Sequence, residues 1–239
     1  MSPTRWLPVV MAFAFVAPGL GAQEPARPKL PLHEVPVVGG RPTWMALFIS
    51  GDGGWAGIDK QMAAALADSG VAVVGLDARA YLGTRRTPEQ VAADLVGPIR
   101  EHLDRWHVDR LLLVGYSRGA NVVSLVANRL PADLRSRLDL VAMLGLGYYA
   151  GFHVSLFDLL RATTNPKDPP IRPEIEALGK SGVAMMCVFG EDEKESLCRD
   201  GTDLPMRRVA RSGAHHFDGD YRGLADEIMK SLRLKAATP

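Results

Sequence analysis

The chain has 239 residues, of which 47% are hydrophobic and 23% are charged, and its formal net charge is +1. A chain of this size and composition can bury the core of one globular domain. The near-neutral charge balance argues against a nucleic-acid-binding protein, which usually carries a strong basic excess.

Residues 1–22 have the pattern of a secretory signal peptide. Arg5 precedes an apolar stretch over residues 6–16, and the small residues Gly21 and Ala22 offer a cleavage site. The apolar stretch is shorter than the roughly 20 residues that a membrane-spanning helix needs. We therefore expect an exported protein rather than a membrane-anchored one.

A proline-rich lead-in over residues 23–31 is expected to precede a single domain over residues 32–239. Within that domain, continuous apolar runs alternate with amphipathic ones. Such runs are typical of strands that are buried on both faces. The runs predict strands over residues 44–50, 71–77, 110–115, 138–145 and 183–189, with a short sixth strand over 206–210.

Amphipathic segments between these runs predict helices. Thr87 and Pro88 are typical of a helix N-cap and first turn, so a long helix is expected from there to Trp106. Other helices are expected over residues 57–69, 121–130 and 220–234. Strand–helix alternation of this kind predicts an α/β fold, with a mostly parallel sheet and helices on both faces.

Ser117 lies in the pentapeptide Gly-Tyr-Ser-Arg-Gly, directly after the third predicted strand and before a predicted helix. In this context, the pentapeptide predicts a sharp turn that lifts the serine hydroxyl above the sheet, at a helix N-terminus. Gly115 and Gly119 would allow the strand and the helix to approach each other closely. Ser117 is therefore the candidate nucleophile.

A serine nucleophile needs a base, and the chain has six histidines: His33, His102, His107, His153, His215 and His216. Of these, the pair His215-His216 lies between the last predicted strand and the last helix. The order Ser, acid, His along a chain is that of α/β-hydrolases. We expect His216 to be the base and His215 to pack beside it or orient it.

The acid of such a triad should follow the penultimate strand, where the sequence places a cluster of acidic residues. Glu193 fits the spacing after the strand's glycine, whereas Asp192 is the commoner residue type. The acid would hold the imidazole tautomer and stabilise the imidazolium. Both residues remain candidates at this point.

The segment "SGDGGW" follows the first predicted core strand and is a candidate oxyanion-hole loop. We expect one donor to be the N–H of Asp52 or Gly53, and the other to be the N–H of Arg118. The lysine and hydroxyl signature of a phosphate-binding loop is absent from the sequence, and no histidine or thiol spacing indicates a metal site. The sequence thus predicts neither a metal nor a cofactor.

Cys187 and Cys198 are the two cysteines of the chain. In an exported protein, an isolated and closely spaced pair is expected to form a disulfide. This bridge would brace the loop that carries the candidate acids.

Together, the stretches "FISGDGGW", "GYSRGAN", "CVFGEDEKESLC" and "GAHHFDGDY" resemble the bacterial virulence protein VirJ family, which also forms the C-terminal domain of AcvB proteins. The resemblance covers nearly the whole mature chain and implies a periplasmic serine hydrolase of the α/β-hydrolase fold. It also implies an aminoacyl ester of phosphatidylglycerol as substrate, lysyl-phosphatidylglycerol in particular, at the periplasmic face of the membrane.

The resemblance leaves a second function open, because VirJ-type members are associated with type IV secretion. The alternative is a non-enzymatic periplasmic adaptor that binds secretion-system components. Residues 147–173 are aromatic and then proline-rich. They are expected to form either a small lid over the site or a packed crossover helix followed by a linker.

Overall fold

A computed structural model describes residues 29–154 and 165–236 of the chain. In these residues, seven strands form one sheet in the order β1-β3-β2-β4-β5-β6-β7. All neighbouring strands pair in parallel except β1, which runs antiparallel to β3. The strands are β1 Leu32–Val35, β2 Trp44–Ile49, β3 Val71–Leu76, β4 Leu111–Tyr116, β5 Leu138–Leu144, β6 Met185–Gly190 and β7 Arg207–Arg211.

The central strands are buried on both faces, as their continuous apolar runs predict. All residues of β3 and β4 are buried, and so are most of those of β2, β5 and β6. The predicted α/β fold class is confirmed, and the six predicted strands lie within two residues of the observed ones.

Helices cover both faces of this sheet. The helices are α1 Gly57–Asp68, α2 Ala78–Leu82, α3 Pro88–Trp106, α4 Arg118–Arg129, α5 Ala132–Arg135, α6 Arg172–Lys180, α7 Leu197–Asp200 and α8 Tyr221–Ala236. The apolar faces of α1 and α8 pack on one side of the sheet, and those of α3, α4 and α6 pack on the other. Two hydrophobic layers therefore hold the sheet between them.

The long helix α3 begins as its sequence predicts. Thr87 is the N-cap: its hydroxyl accepts a hydrogen bond from the Gln90 N–H at 3.2 Å, and the Gln90 side chain accepts one from the Thr87 N–H at 3.0 Å. This reciprocal pair is a capping box, and Pro88 occupies the first helical position.

The edge strand β1 was not predicted from the sequence. It follows the end of the predicted lead-in, where the Pro31 carbonyl accepts a hydrogen bond from the Asp77 N–H at 3.0 Å and Leu30 packs against the core. Residues 1–28, which include the predicted signal peptide and most of the lead-in, lie outside the described residues.

The end of the described segment after β5 packs in the hydrophobic core. Phe152 and Val154 are buried, the Arg86 N–H donates to the Phe152 carbonyl at 3.0 Å, and the Val154 N–H donates to that of Leu82 at 2.8 Å. Residues 155–164, the middle of the expected lid or crossover, lie outside the described residues. The end of the expected linker is helical, because α6 begins at Arg172.

Cys187 and Cys198 form the predicted disulfide, with their Cα atoms 5.6 Å apart. The bond joins β6 to α7 and closes the loop that carries the candidate acids. In the part of the chain that the structure describes, no helix has both the length and the apolar character needed to span a bilayer.

Candidate active site

Ser117 lies in a tight turn between β4 and α4. Its φ of +53° and ψ of −113° place it in a region that residues with a side chain seldom occupy. The turn is held from both sides, because the Ser117 N–H donates to the Leu144 carbonyl at 2.8 Å and the Ser117 carbonyl accepts from the Asn121 N–H at 3.0 Å. The hydroxyl is thereby fixed at the carboxyl end of the parallel sheet and at a helix N-terminus.

The two glycines of the pentapeptide make this turn possible. A Cβ atom on Gly115 would lie 2.4 Å from the Gly119 carbonyl group, and one on Gly119 would lie 1.9 Å from the Ile49 carbonyl oxygen. Real side chains cannot approach backbone atoms this closely. The first turn of α4 can therefore pack directly on strands β2 and β4, as the sequence predicts.

Three side chains from three different strand ends form a hydrogen-bonded chain. The Ser117 hydroxyl oxygen lies 2.8 Å from Nε2 of His215, and Nδ1 of the same ring lies 2.5 Å from Oε1 of Glu193. Glu193 is 8% exposed, whereas the His215 side chain is 39% exposed. This arrangement is that of a nucleophile, a base and an orienting carboxylate.

The histidine in contact with Ser117 is His215, so the prediction that His216 is the base was wrong. The ring of His216 has a different partner, because its Nδ1 lies 2.9 Å from the Tyr116 hydroxyl. Phe217 and Asp218, which follow the pair, have positive φ values of 52° and 49°, and the buried Phe217 ring anchors this turn.

Of the two candidate acids, Glu193 is the one that the structure brings to the histidine. Its Oε2 accepts a hydrogen bond from the Gly190 N–H at 3.2 Å, and its own N–H donates to the Gly190 carbonyl at 3.0 Å. These bonds fold the loop so that the Glu193 side chain points inward. Asp192 is exposed, and its N–H donates to the Gly213 carbonyl at 3.0 Å, which ties the acid loop to the histidine loop.

Gly145 and Gly190 contribute space that the sequence analysis did not identify. Gly145 follows β5 with a φ of +67°, and a Cβ atom there would lie 2.7 Å from Cε1 of His215. A Cβ atom on Gly190 would lie 2.3 Å from the Ala214 carbonyl oxygen. Each glycine stands at a strand end, which is the signal that could have identified them.

The "SGDGGW" loop lies against the nucleophile, as expected for an oxyanion-hole loop. A Cβ atom on Gly51 would lie 3.4 Å from the Ser117 Cβ, and Asp52 and Gly53 follow directly. Arg118 is the first residue of α4, where helical N–H groups have no partner within the helix. The loops that carry the expected donors of Asp52, Gly53 and Arg118 thus meet at Ser117.

Trp55 and Asp59 hold this loop in place. The Trp55 indole stacks on His33 at 5.3 Å between ring centroids, and it covers Gly75, where a Cβ atom would lie 2.2 Å from the indole. Asp59 is buried, and its Oδ2 accepts from the Ala56 N–H at 3.1 Å. Burial raises the pKa of Asp59 to about 6, while the nearby backbone N–H groups of Ala56 and Gly51 oppose that rise.

Tyr116 contacts both histidines of the pair. Its hydroxyl donates to the His215 carbonyl at 3.3 Å, and its ring lies 5.5 Å from that of His215 between centroids. Burial and neighbouring carboxylates raise the pKa of Tyr116 well above its usual value, so its hydroxyl stays protonated. No group of three His, Cys, Asp or Glu side chains in the described residues is arranged to hold a metal ion.

The fold and the connected serine, histidine and glutamate place the chain in the α/β-hydrolase fold class. Solved structures with the same fold include Est1E from Butyrivibrio proteoclasticus with ferulic acid bound, which is 12% identical with a TM-score of 0.60 over 85% of this chain and 96% of that one. MenH from S. aureus is 11% identical with a TM-score of 0.60 over 86% and 98% of the two chains.

An α/β serine hydrolase homologue from Coxiella burnetii is also similar, at 16% identity and a TM-score of 0.59 over 84% of this chain and 90% of that one. At these identities, the likenesses establish the fold alone. The family is established separately: the family model for the bacterial virulence protein VirJ matches residues 43–236, and the chain belongs to that family. No curated protein sequence gives a significant match.

Proposed function

We propose that the protein is a periplasmic serine hydrolase that cleaves an aminoacyl ester of phosphatidylglycerol, of the lysyl-phosphatidylglycerol type. The observation that carries the hydrolase proposal is the chain of contacts from Ser117 through His215 to Glu193, at 2.8 and 2.5 Å. Similar folds include esterases, thioesterases and serine hydrolases, which supports the reaction class.

The reaction follows from this geometry. As the Ser117 oxygen attacks the ester carbonyl carbon, Nε2 of His215 takes the hydroxyl proton, and Glu193 stabilises the imidazolium through Nδ1. Backbone N–H groups of Arg118 and of Asp52 or Gly53 would hold the oxyanion. Collapse of the tetrahedral intermediate breaks the ester bond, and His215 returns the proton to the leaving alcohol.

Water then completes the cycle. His215 takes a proton from a water molecule, whose oxygen attacks the acyl-serine carbonyl carbon. The second tetrahedral intermediate expels the Ser117 oxygen, which recovers its proton from His215. The products are the free amino acid and phosphatidylglycerol, and the enzyme returns to its starting state.

The charges around the triad support a substrate with a cationic acyl group. In the described part of the chain, Asp52, Glu191, Asp192 and Asp218 lie on the loops around Ser117 and His215 and make no ion pair. Asp52 and Glu193 are close enough to Tyr116 to raise its pKa. Unpaired carboxylates around a site favour a positively charged ligand.

The experiment is to incubate the purified protein with a phospholipid panel that includes lysyl- and alanyl-phosphatidylglycerol, and to measure released amino acid. Ser117→Ala should abolish release and also labelling by a fluorophosphonate probe. Labelling that survives this change would exclude Ser117 as nucleophile. Absence of turnover on every ester, with secretion-system partners still retained by Ser117→Ala, would instead support the adaptor function.

A further inference from the structure

Arg118 directly follows the nucleophile, and the proposed mechanism uses only its backbone. Its side chain is 5% exposed, and its Nε is buried with no hydrogen-bond partner. Within residues 29–154 and 165–236, no ion pair joins its guanidinium to a carboxylate. An arginine buried without a paired anion is unfavourable, because its hydration is lost without compensation.

Two arginines that are less deeply buried, with side chains 28% and 29% exposed, are neutralised by carboxylates. Arg129 forms ion pairs with Glu89 at 2.7 Å and Glu174 at 3.0 Å, and Arg207 pairs with Glu227 at 2.5 Å. Arg118 is the more deeply buried side chain and lacks such a pair. No carboxylate of the described residues is within ion-pair distance of the Arg118 guanidinium, so the guanidinium can bind an anion that is not part of those residues.

The guanidinium extends toward the segment after β5. A Cβ atom on Gly151 would lie 2.1 Å from Nη1 of Arg118, so only a glycine leaves room for this placement. The Asp168 carboxylate borders the same space, with Oδ2 3.0 Å from that Cβ position, and it has interactions of its own.

We propose that the Arg118 side chain binds an oxyanion group of the substrate, which in the lipid ester proposed above is the phosphodiester. This inference rests on the proposed hydrolase function and adds a specificity-determining residue to it. A guanidinium presents parallel N–H donors that match two phosphate oxygens. The N-terminus of α4, where Arg118 lies, also favours negative charge.

Substrate geometry is compatible with this role. In an aminoacyl-phosphatidylglycerol, three glycerol carbons separate the scissile ester oxygen from the phosphodiester. With bonds of about 1.5 Å, the phosphate is only a few ångströms from the ester. Because Ser117 and Arg118 are consecutive residues, the backbone of Arg118 lies beside the nucleophile, and the proposal requires the phosphodiester to reach the guanidinium from there.

The test compares esters that share an acyl group but differ in charge on the alcohol: lysyl-phosphatidylglycerol in detergent micelles and a neutral lysyl-glycerol ester. Arg118→Met keeps the backbone N–H and the apolar stem. We expect the ratio of kcat/KM for the phospholipid to kcat/KM for the neutral ester to fall about 10- to 100-fold, through a higher KM for the phospholipid. Gly151→Ala should give a smaller rise, because its methyl group displaces the guanidinium without removing it.

Inhibitors identify the oxyanion. Glycerophosphoglycerol should compete with the neutral ester in the wild type and lose its effect in Arg118→Met, whereas inhibition by inorganic phosphate alone would indicate a phosphomonoester site. Inhibition by succinate but not by the phosphodiester would identify a carboxylate ligand and overturn the proposal.

A structural role for Arg118 would give a different pattern. If Arg118→Met and Asp168→Asn both lower the melting temperature by several degrees and slow both esters equally, the arginine is paired within the chain and the proposal is wrong. Cleavage of the neutral ester by the wild type without cleavage of the phospholipid would instead refute the proposed substrate and leave the hydrolase chemistry standing.

Discussion

Replacing His215 is the most direct test of which of the two adjacent histidines is the catalytic base. His215→Ala removes the ring that lies 2.8 Å from the Ser117 oxygen and 2.5 Å from Glu193. Loss of the base from a triad costs about 10⁴- to 10⁶-fold in kcat. At 1.36 kcal/mol per factor of ten, the variant should lose about 5 to 8 kcal/mol of transition-state stabilisation.

His216→Ala is the matched control, because it makes the same chemical change one residue away. Within the described residues, the His216 side chain makes one hydrogen bond, to the Tyr116 hydroxyl at 2.9 Å, and His216 is exposed. The loss of such a bond is worth about 1 kcal/mol, so kcat/KM should fall less than tenfold.

The assay is hydrolysis of p-nitrophenyl acetate together with fluorophosphonate labelling, since both report on serine reactivity whatever the natural substrate. Far-UV circular dichroism should show that both variants fold. The assignment would be refuted if His216→Ala were as inactive as His215→Ala, or if His215→Ala kept more than a tenth of wild-type activity.

Three further predictions address the residues around the triad. Glu193→Gln should lower kcat by about 10²- to 10⁴-fold, because it removes the charge that stabilises the imidazolium, whereas Asp192→Asn should change ester turnover less than twofold. Gly145→Ala should lower kcat at least tenfold in the same assay, because the added methyl group meets the His215 ring at 2.7 Å; unchanged activity would contradict this. Burial raises the pKa of Asp59 from its ordinary 3.8 to about 6 in the folded protein. The free energy of unfolding should therefore be highest below pH 4, where Asp59 is protonated in both states, and should fall by about 3 kcal/mol as pH rises through 6. Urea unfolding at pH 4.5 and 7.5 should show that Asp59→Asn gains stability relative to the wild type at the higher pH, and an equal difference at both pH values would disprove it.

The sheet could be predicted from the sequence because burial on both faces leaves a simple pattern. Runs such as Val71–Leu76 and Leu111–Tyr116 contain almost no polar residue. The edge strand Leu32–Val35 has no such pattern, since its middle residues are the polar and exposed His33 and Glu34. Its pairing with β3 depends on where the chain enters the domain, which is a tertiary property.

The sequence identifies the nucleophile correctly, but for the base and the acid it locates only a pair of adjacent candidates. Ser117 is identified by its glycines, which act through backbone contacts with β2 and β4. His215 and His216 are chemically identical neighbours, and only the folded loop shows that the ring of His215 contacts Ser117 whereas the ring of His216 contacts Tyr116. The choice of Glu193 similarly depends on how its loop folds back on Gly190.

The backbone at Ser117 has a consequence for stability as well as for reactivity. Its φ of +53° costs a residue with a side chain about 1 to 3 kcal/mol, a penalty that glycine largely avoids. Ser117→Gly should therefore melt a few degrees above the wild type while showing no turnover, whereas Ser117→Ala keeps the penalty and should gain nothing comparable. The sequence that would make this fold most durable is one that gives up its nucleophile, so selection for stability alone would remove it.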